Sequence, residues 1–387
     1  MAKANRLAAK ENRPAISRRD DKVDYPFLLL VLLLLFVGLV MLYSASYAQS
    51  EFDTGYTDSG RYLRKQAACA AIGLGAMYFF SRIPARLWHA FAWPLYGFSI
   101  LLLLSVLLVG QEVNGAKRWI NIAGIQFQPS EVAKFAQILL FARLTRHFGA
   151  GAETFRYGVL GFGLALLGIL VPLALEKHLS AIMLMGMVAV VMMFVAGTRM
   201  KWLLAGAGAA VVFVIVYISF MGYAGDRVTA WLHPEEDPAD TGYQIPQSLY
   251  AIGSGGLFGL GWGKSRQKYL YLPFQYNDYI FAICCEELGL IGALGIIALF
   301  MLLILRGYWI ALRARDRFST VLAAGLITLM AVQTILNLCV VTNLLPSTGI
   351  ALPFFSYGGT ALAVNLGEMG ILLSISRQRN RRKQQEA

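Results

Sequence analysis

The chain has 387 residues, of which 57% are hydrophobic and 14% charged, and its formal net charge is +12 at pH 7. A soluble protein of this length normally has about 25% charged residues, so the composition excludes an ordinary soluble enzyme. Several apolar runs reach the roughly 20 residues with which a helix crosses a bilayer. The sequence therefore predicts an all-α polytopic membrane protein.

The chain begins with a polar, basic segment over residues 1–24, which we interpret as a tail on the cytoplasmic side. About ten apolar spans follow, each long enough to cross a bilayer as a helix. We expect them to form one transmembrane domain over residues 25–376, followed by a second basic tail at 377–387. The predicted spans are residues 25–47, 66–81, 88–110, 130–147, 157–175, 179–197, 202–222, 278–306, 320–342 and 359–376.

The basic residues indicate the orientation of these spans. Most of the 34 lysines and arginines fall on one side when the N-terminus is placed inside, as the positive-inside rule requires. This distribution explains the net charge without a nucleic-acid partner. The basic residues on the outer side have two readings, ordinary solvated loop charge or contacts with a phosphate-bearing ligand at the outer leaflet. They include Arg61, Arg64, Lys65, Lys117, Arg118, Lys264, Arg266 and Lys268.

A long polar stretch at about 223–277 separates the seventh predicted span from the eighth. Loops of this length are uncommon and are usually functional or disordered. The high content of glycine, tyrosine and glutamine argues against disorder. We therefore expect an extracytoplasmic loop that carries the chemistry and ends at Asp278. This acid either caps the helix that follows or, as an ionised carboxylate, acts as a general base for a sugar hydroxyl.

Charged residues also occur inside the predicted spans. Glu131 and Lys134 are three residues apart and so share a helix face. Such groups near a bilayer pair with each other or line a wet cavity, so the two readings are a structural ion pair and a contact to an anionic ligand. For Glu286, Glu287 and Glu368 we favour helix packing or cavity lining over chemistry.

Residues 344–361 combine two prolines with several glycines and Ser356. Irregular backbone at membrane depth is tolerated only where it is buried in protein or lines a cavity. The segment is therefore either a re-entrant turn between two spans or a cavity wall from which Ser356 faces a ligand.

Five motifs cover most of the polar positions discussed so far, and together they are highly specific. On these motifs the chain resembles the SEDS family (shape, elongation, division and sporulation), which contains FtsW and RodA, from about residue 25 to 378. The stretch GKSRQKYLYLP is more similar to the FtsW division branch than to the RodA elongation branch. The motifs are NGAKRWI (114–120), QPSEVAK (128–134), GYQIPQSLYAIGSGGLFGLGWG (242–263), NDYIFAICCEELGLIG (277–292) and LPSTGIALPFFSYGGT (345–360).

The resemblance implies ten transmembrane helices with both termini in the cytoplasm of a bacterium. It implies a peptidoglycan glycosyltransferase that polymerises lipid II at the outer face of the cytoplasmic membrane, for septal wall synthesis in cell division. It also implies a class B penicillin-binding protein and other divisome proteins as partners. A divalent cation, Mg or Mn, would be compatible with this chemistry, but no acidic cluster in the sequence demands one.

The resemblance also assigns roles to individual residues. Asp278 matches the family's catalytic acid, and Ser356 lies in its serine–tyrosine–glycine–glycine signature. The matches to its polar cavity residues are Arg118, Glu131 and Lys134.

Two more cations are expected to contribute to the site, and two stretches of the chain depart from the family's pattern. The leaving group needs positive charge, which Lys264 and Arg266 would add to that of Arg118 and Lys134. Many members have a Gln-Pro-Asp-Leu-Gly-Thr stretch where this chain has Leu175, Glu176, Lys177, His178, Leu179 and Ser180, so the role of that aspartate does not carry over. Many also have Leu-Pro-Glu where this chain has Leu272, Pro273 and Phe274, so a supporting role for that glutamate does not carry over.

Two other functions fit part of the pattern. A flippase that moves lipid II across the membrane would also have about ten spans and intramembrane charges. However, the polar groups cluster at the outer loops and upper helix ends rather than at the midplane of two related halves. A non-catalytic scaffold would tolerate substitutions at Asp278 and Arg118.

Overall fold

The computed structural model describes residues 23–113, 116–122, 125–208, 212, 227, 229–232 and 241–383. Almost all of the predicted N-terminal tail, most of the predicted span 202–222 and the last four residues lie outside this part of the chain. The predicted number of ten spans and the predicted tails therefore stay predictions.

Helices make up most of the described structure, as the sequence predicts. Residues 200–208 are helical as well, and a 3₁₀ turn and a π-helical turn join α4 to α5. The main helices are α1 (Tyr25–Asp53), α2 (Arg61–Arg82), α3 (Ala85–Val109), α4 (Pro129–Phe148), α5 (Phe162–Leu175), α6 (Leu179–Val195), α7 (Thr241–Ser254), α8 (Ile280–Leu312), α9 (Arg317–Val341) and α10 (Thr360–Lys383).

Five helical segments in the described part of the chain are long and apolar enough to cross a membrane. They include α1, α3, α8 and α9, and the fifth runs from the π-helical turn through α5. Several helices extend beyond the predicted spans, and α1 continues to Asp53. The apolar pattern marks the part of a helix in contact with lipid, whereas backbone hydrogen bonding continues into the polar flanks.

Helix α9 lies at the centre of the bundle, against α4, α6 and α8. Its most apolar window is 78% buried, compared with 28% for the corresponding window of α8. Small residues allow close contacts at the periphery, where α2 packs along α10. A Cβ atom on Gly370 would clash with the backbone of Met77, which is the use of glycine expected between membrane helices.

The start of α1 is fixed by an ion pair. Asp24 caps the helix, since its carboxylate accepts a hydrogen bond from the amide of Phe27 at 3.2 Å. The same carboxylate accepts two hydrogen bonds from the Arg306 guanidinium, at 2.9 and 3.0 Å. This bidentate pair ties the beginning of α1 to the far end of α8.

A small antiparallel sheet interrupts the otherwise helical fold between α3 and α4. Its strands are β1 (Gln111–Val113), β2 (Ala116–Ile122) and β3 (Ile125–Phe127), in the order β1-β2-β3. The sequence predicts a position outside the membrane for this segment and no strands in it. The β-branched and aromatic residues of Trp-Ile-Asn-Ile in β2 favour a strand, but β1 and β3 have three residues each, which is too short a pattern to be recognised.

The predicted loop before α8 contains a helix, so the prediction was wrong over Thr241–Ser254. Buried positions Gln244, Ser248 and Ala251 recur at helical spacing, and the Ser248 hydroxyl donates to the carbonyl of Val341 at 2.8 Å. This contact docks α7 on the end of α9. The glycine, glutamine and proline residues of this polar segment favoured the prediction of a loop over that of a helix.

After α7 the chain turns and pairs with a kink in α8. Gly289 has a φ of +67° inside that helix, which leaves the hydrogen-bonding groups around it without helical partners. The loop supplies partners, since the amides of Leu260 and Gly261 donate to the carbonyls of Glu286 and Glu287, both at 3.0 Å. Backbone freed at a break in a membrane helix is thus satisfied by protein.

Candidate active site

A cavity of about 630 Å³ lies at the end of the bundle where α4, α6 and α8 begin. Its wall combines β2, the first turns of α4 and α6, the residues before α8 and the irregular segment after α9. The predicted cavity wall at 344–361 is therefore confirmed. Charged and polar residues that line it include Arg118, Glu131, Lys134, His178, Arg227, Asn277, Asp278, Gln333 and Ser356.

Hydrogen bonds to its own and the preceding backbone carbonyl hold Asp278 in place, and its side chain lines this cavity. The Asn337 amide donates to the Asp278 carbonyl at 2.7 Å, and the Ser356 hydroxyl donates to the neighbouring carbonyl of Asn277 at 2.7 Å. The N-cap of α8 is Tyr279, and no side chain makes a capping hydrogen bond there. The helix-cap reading of Asp278 was therefore wrong.

The carboxylate of Asp278 accepts no hydrogen bond from the residues that the structure describes. Gly349 approaches it closely, and a Cβ atom there would lie 3.4 Å from its Oδ2 atom. Burial raises the pKa of Asp278 to about 6, and the positive charge of Arg227 opposes this shift. The group is thus mainly ionised at neutral pH and has a pKa close to working pH, as suits a general base.

Cationic side chains face the same cavity. Lys134 and Glu131 form an ion pair with 2.7 Å between Nζ and Oε2, and both residues line the cavity. The ion-pair reading is therefore confirmed, and the contact of Lys134 with an anionic ligand stays a prediction. Arg118 donates to the carbonyl of Lys177 at 2.6 Å, and Arg227 donates to the carbonyl of Ser347 at 2.9 Å. With these contacts, the three cations Arg118, Lys134 and Arg227 all line the cavity, and this concentration of positive charge suits an anionic ligand.

The turn between α5 and α6 adds two buried polar residues. Glu176 is 3% exposed and His178 is 8% exposed. Burial raises the pKa of Glu176 to about 8. Burial, together with the charges of Arg118 and Lys134, lowers the pKa of His178 to about 3. Both side chains are therefore neutral at pH 7.

The remaining predicted binding residues differ in their placement. Ser356 lines the cavity, but its hydroxyl already donates to Asn277 and accepts from the amide of Leu352 at 2.8 Å. Lys264 and Arg266 are exposed on the loop before α8 and are not part of the cavity wall. The roles of these three residues in binding stay predictions.

Sequence reasoning did not single out Arg227 and Gln333, which both line the cavity. Arg227 was grouped with a long loop, although an arginine near the outer end of a predicted span is a signal for a ligand pathway. Gln333 gave a weaker signal, since one glutamine in an apolar helix is compatible with packing.

A second group of buried charges lies beside the kink of α8, outside the cavity wall. Glu287 accepts hydrogen bonds from Ser44, Ser265 and Lys268 at 2.7, 3.2 and 3.0 Å. Glu286 accepts from the Ser265 hydroxyl at 2.5 Å and from the next amide at 2.9 Å. We call these five residues the carboxylate clamp. Their geometry agrees with a packing role for the two acids.

Comparisons with known proteins agree with the motifs. Residues 25–381 match the FtsW/RodA/SpoVE model, described as a cell cycle protein. The chain is 40% identical over 361 residues to the probable peptidoglycan glycosyltransferase FtsW of Geobacter sulfurreducens, covering 92% of this chain and 95% of the relative. It is 39% identical over 366 residues to the stage V sporulation protein E of Bacillus subtilis, covering 94% and 99%.

The fold is similar to that of a chain from a peptidoglycan synthase complex that coordinates polymerization and crosslinking. The TM-score is 0.78 at 29% identity, and the match covers 92% of this chain and 98% of the other. The expected FtsW-like family, and the helical membrane fold, are therefore confirmed.

Proposed function

This chain belongs to the FtsW/RodA/SpoVE family of cell cycle proteins, and we propose that it polymerises lipid II in this cavity, with Asp278 as the general base. It is a multi-pass membrane protein and a peptidoglycan glycosyltransferase, as the names of its relatives support. The observation that carries the proposal is the carboxylate of Asp278, which has no cation of the described residues paired with it in an ion pair, unlike Glu131, and lines a cavity together with Arg118, Lys134 and Arg227.

The proposed reaction is one direct displacement. Asp278 takes the proton from the 4-hydroxyl of the acceptor GlcNAc, and that oxygen attacks the anomeric carbon of the lipid-linked donor chain. The bond from this carbon to the diphosphate breaks, and undecaprenyl pyrophosphate leaves with the electron pair. An α-linked donor thus becomes a β-linked product with one base and no covalent intermediate, by analogy with inverting glycosidases.

The leaving diphosphate needs stabilisation of negative charge rather than a proton. Arg118, Lys134 and Arg227 would supply it, because they face one space and are held there by hydrogen bonds to backbone or by an ion pair. Lys264 and Arg266 lie on the exposed loop, so their proposed contribution is to attract the anionic lipid toward the cavity.

A divalent cation would neutralise the diphosphate further. No group of three or more His, Cys, Asp or Glu side chains that could hold a metal occurs in the part of the chain that the structure describes. Glu131, the nearest other acid of the cavity wall, is engaged by Lys134. We therefore propose no step through a cation, and any Mg or Mn would depend mainly on oxygens of the ligand.

The proposal includes a place and partners for the enzyme. We propose that both termini are cytoplasmic and that the cavity opens at the outer face, as the basic residues predict. A class B penicillin-binding protein would crosslink the strands, which is supported by the similarity to a chain of a peptidoglycan synthase complex. The FtsW relatives support a septal role with other divisome proteins.

The test is a purified assay of the protein with its class B partner and lipid II, in the presence of a β-lactam that blocks crosslinking. Wild type should form glycan strands that can be resolved by size, and Asp278→Asn should form none while staying folded. If no preparation forms strands, and the protein alone moves lipid II across liposomes, the flippase reading replaces this proposal.

A further inference from the structure

We propose that His178 binds the donor, by donating a hydrogen bond from Nε2 of its neutral imidazole to an oxygen of the lipid diphosphate. This inference rests on the proposed function, because it names a further contact of the same cavity.

The backbone holds His178 rigidly at the start of α6. Its amide donates to the carbonyl of Leu173 at 2.9 Å, and its carbonyl accepts from the amide of Ile182 at 3.2 Å. The preceding residue, Lys177, has a φ of +54° and its carbonyl accepts the hydrogen bond from Arg118. The turn that carries the His178 imidazole thus also accepts the hydrogen bond that positions the Arg118 guanidinium.

The ring of His178 lies at the cavity but makes no hydrogen bond to a residue that the structure describes. His178 lines the cavity and is 92% buried, and its Nδ1 atom is enclosed without a hydrogen-bond partner. The other nitrogen, Nε2, is not enclosed in this way, so this edge of the ring faces the cavity.

The surrounding charges determine the form of the ring and the chemistry of its ligand. Arg118 and Lys134 face His178, and together with burial they keep it unprotonated. A neutral imidazole carries one N–H donor. It therefore adds a hydrogen bond between two cations without competing with them for negative charge. An oxygen of a diphosphate can accept hydrogen bonds from all three groups.

The nearby acid Glu176 does not offer an alternative partner. Its carboxyl is buried, and its Oε1 atom also lacks a hydrogen bond. The side chains of Glu176 and His178 make neither a hydrogen bond nor an ion pair with each other, and the Nδ1 atom of His178 also lacks a partner. The ring is therefore available to the ligand.

The experiment uses three variants of the full-length protein in the lipid II assay. Glutamine places its amide nitrogen near the position of Nε2, whereas asparagine places it near Nδ1 and leucine has no donor. We expect His178→Asn and His178→Leu to raise KM for lipid II at least about tenfold, as for loss of a hydrogen bond to a charged group. His178→Gln should stay within about threefold of wild type, and kcat should change little in all three variants.

Stability separates this role from a structural one. Replacing a buried polar group that has no partner with an apolar side chain is close to neutral or stabilising, so His178→Leu should not lower the Tm in detergent. The control is His89→Leu, which removes a histidine that packs on Phe318 at a ring distance of 5.3 Å and is not in the cavity wall. It should leave KM unchanged.

Two kinetic results would overturn the inference. In the first, His178→Leu keeps the KM of wild type. In the second, His178→Gln is as impaired as His178→Leu, and both variants have a lowered Tm.

A binding measurement separates this failure from failure of the proposed function. Undecaprenyl pyrophosphate should raise the Tm of wild type and of His178→Gln more than that of His178→Leu, even if wild type forms no strands. Equal shifts in all three proteins, or no shift in wild type, would also overturn it.

Discussion

The cavity and the carboxylate clamp both bury acids beside a lysine, but they differ in how those groups are satisfied. In the clamp, all four carboxylate oxygens of Glu286 and Glu287 accept hydrogen bonds. At the cavity, buried atoms of His178, Asn277 and Gln333 have no partner among the described residues. Both sites are buried, so burial of charge does not distinguish them.

This difference explains why one site suits chemistry and the other suits structure. A fully satisfied polar network is rigid and specifies one packing arrangement. Polar atoms that lack partners in the protein have a cost that a ligand can offset. Among buried polar groups of a membrane protein, those with unmade hydrogen bonds are therefore the better candidates for a binding site.

The largest effect should come from Asp278→Asn. Loss of a general base costs about 10²- to 10⁴-fold in rate, so polymerisation should fall to near background. The Tm in detergent should not fall, because the variant removes a charge whose burial raises the pKa of Asp278 to about 6. Strand formation and thermal unfolding are measured on the same preparation, and an active variant would remove Asp278 from its role.

The opposite pattern should follow from Lys268→Met. This change leaves the buried carboxylate of Glu287, which is 1% exposed, without its cation. Removing one partner of a buried ion pair destabilises a protein by about 3–5 kcal/mol, so the Tm should fall strongly. Activity per folded molecule at low temperature should stay near that of wild type. Lys264→Met, at an exposed position, is the control and should leave the Tm unchanged.

A smaller change should come from Gly349→Ala. Gly349 has a φ of +67°, and a Cβ atom there would contact Oδ2 of Asp278 at 3.4 Å. The unfavourable backbone conformation costs about 1–2 kcal/mol, and a shift of the backbone that relieves it would move the segment packed against the carboxylate of Asp278. We expect about a tenfold loss of kcat with a small loss of Tm. Gly186→Ala, where a Cβ atom meets open space, should change neither.

The pH dependence should be moderate and should follow Asp278. Because burial raises its pKa to about 6, kcat/KM should fall about tenfold per pH unit below that value. The pKa of Asp278 in the folded state exceeds its ordinary value of 3.8, so ionisation weakens the folded state as pH rises from about 4 through 6. Asp278→Asn should remove this dependence of stability. A rate that stays constant down to pH 5 would contradict the assignment.

Much of the fold could be predicted from the sequence, because lipid-facing helices need long apolar runs. The pattern did not reveal α7 or the sheet, since short elements outside the membrane are stabilised by docking, as Ser248 shows with its bond to Val341. At the site, the pairing of Glu131 with Lys134 followed from their spacing. The use of Lys268 in the clamp could not be predicted, because its partners are 19 and 224 residues away in sequence.

The most direct test of the account measures the rise in Tm that undecaprenyl pyrophosphate causes in wild type, Arg227→Gln and Lys268→Met. A ligand that binds the folded state raises its stability according to its affinity. The account predicts the same rise for wild type and Lys268→Met, although the latter starts from a lower Tm, and a clearly smaller rise for Arg227→Gln. A rise that is lost in Lys268→Met and kept in Arg227→Gln would show that the satisfied clamp, and not the cavity, binds the lipid diphosphate.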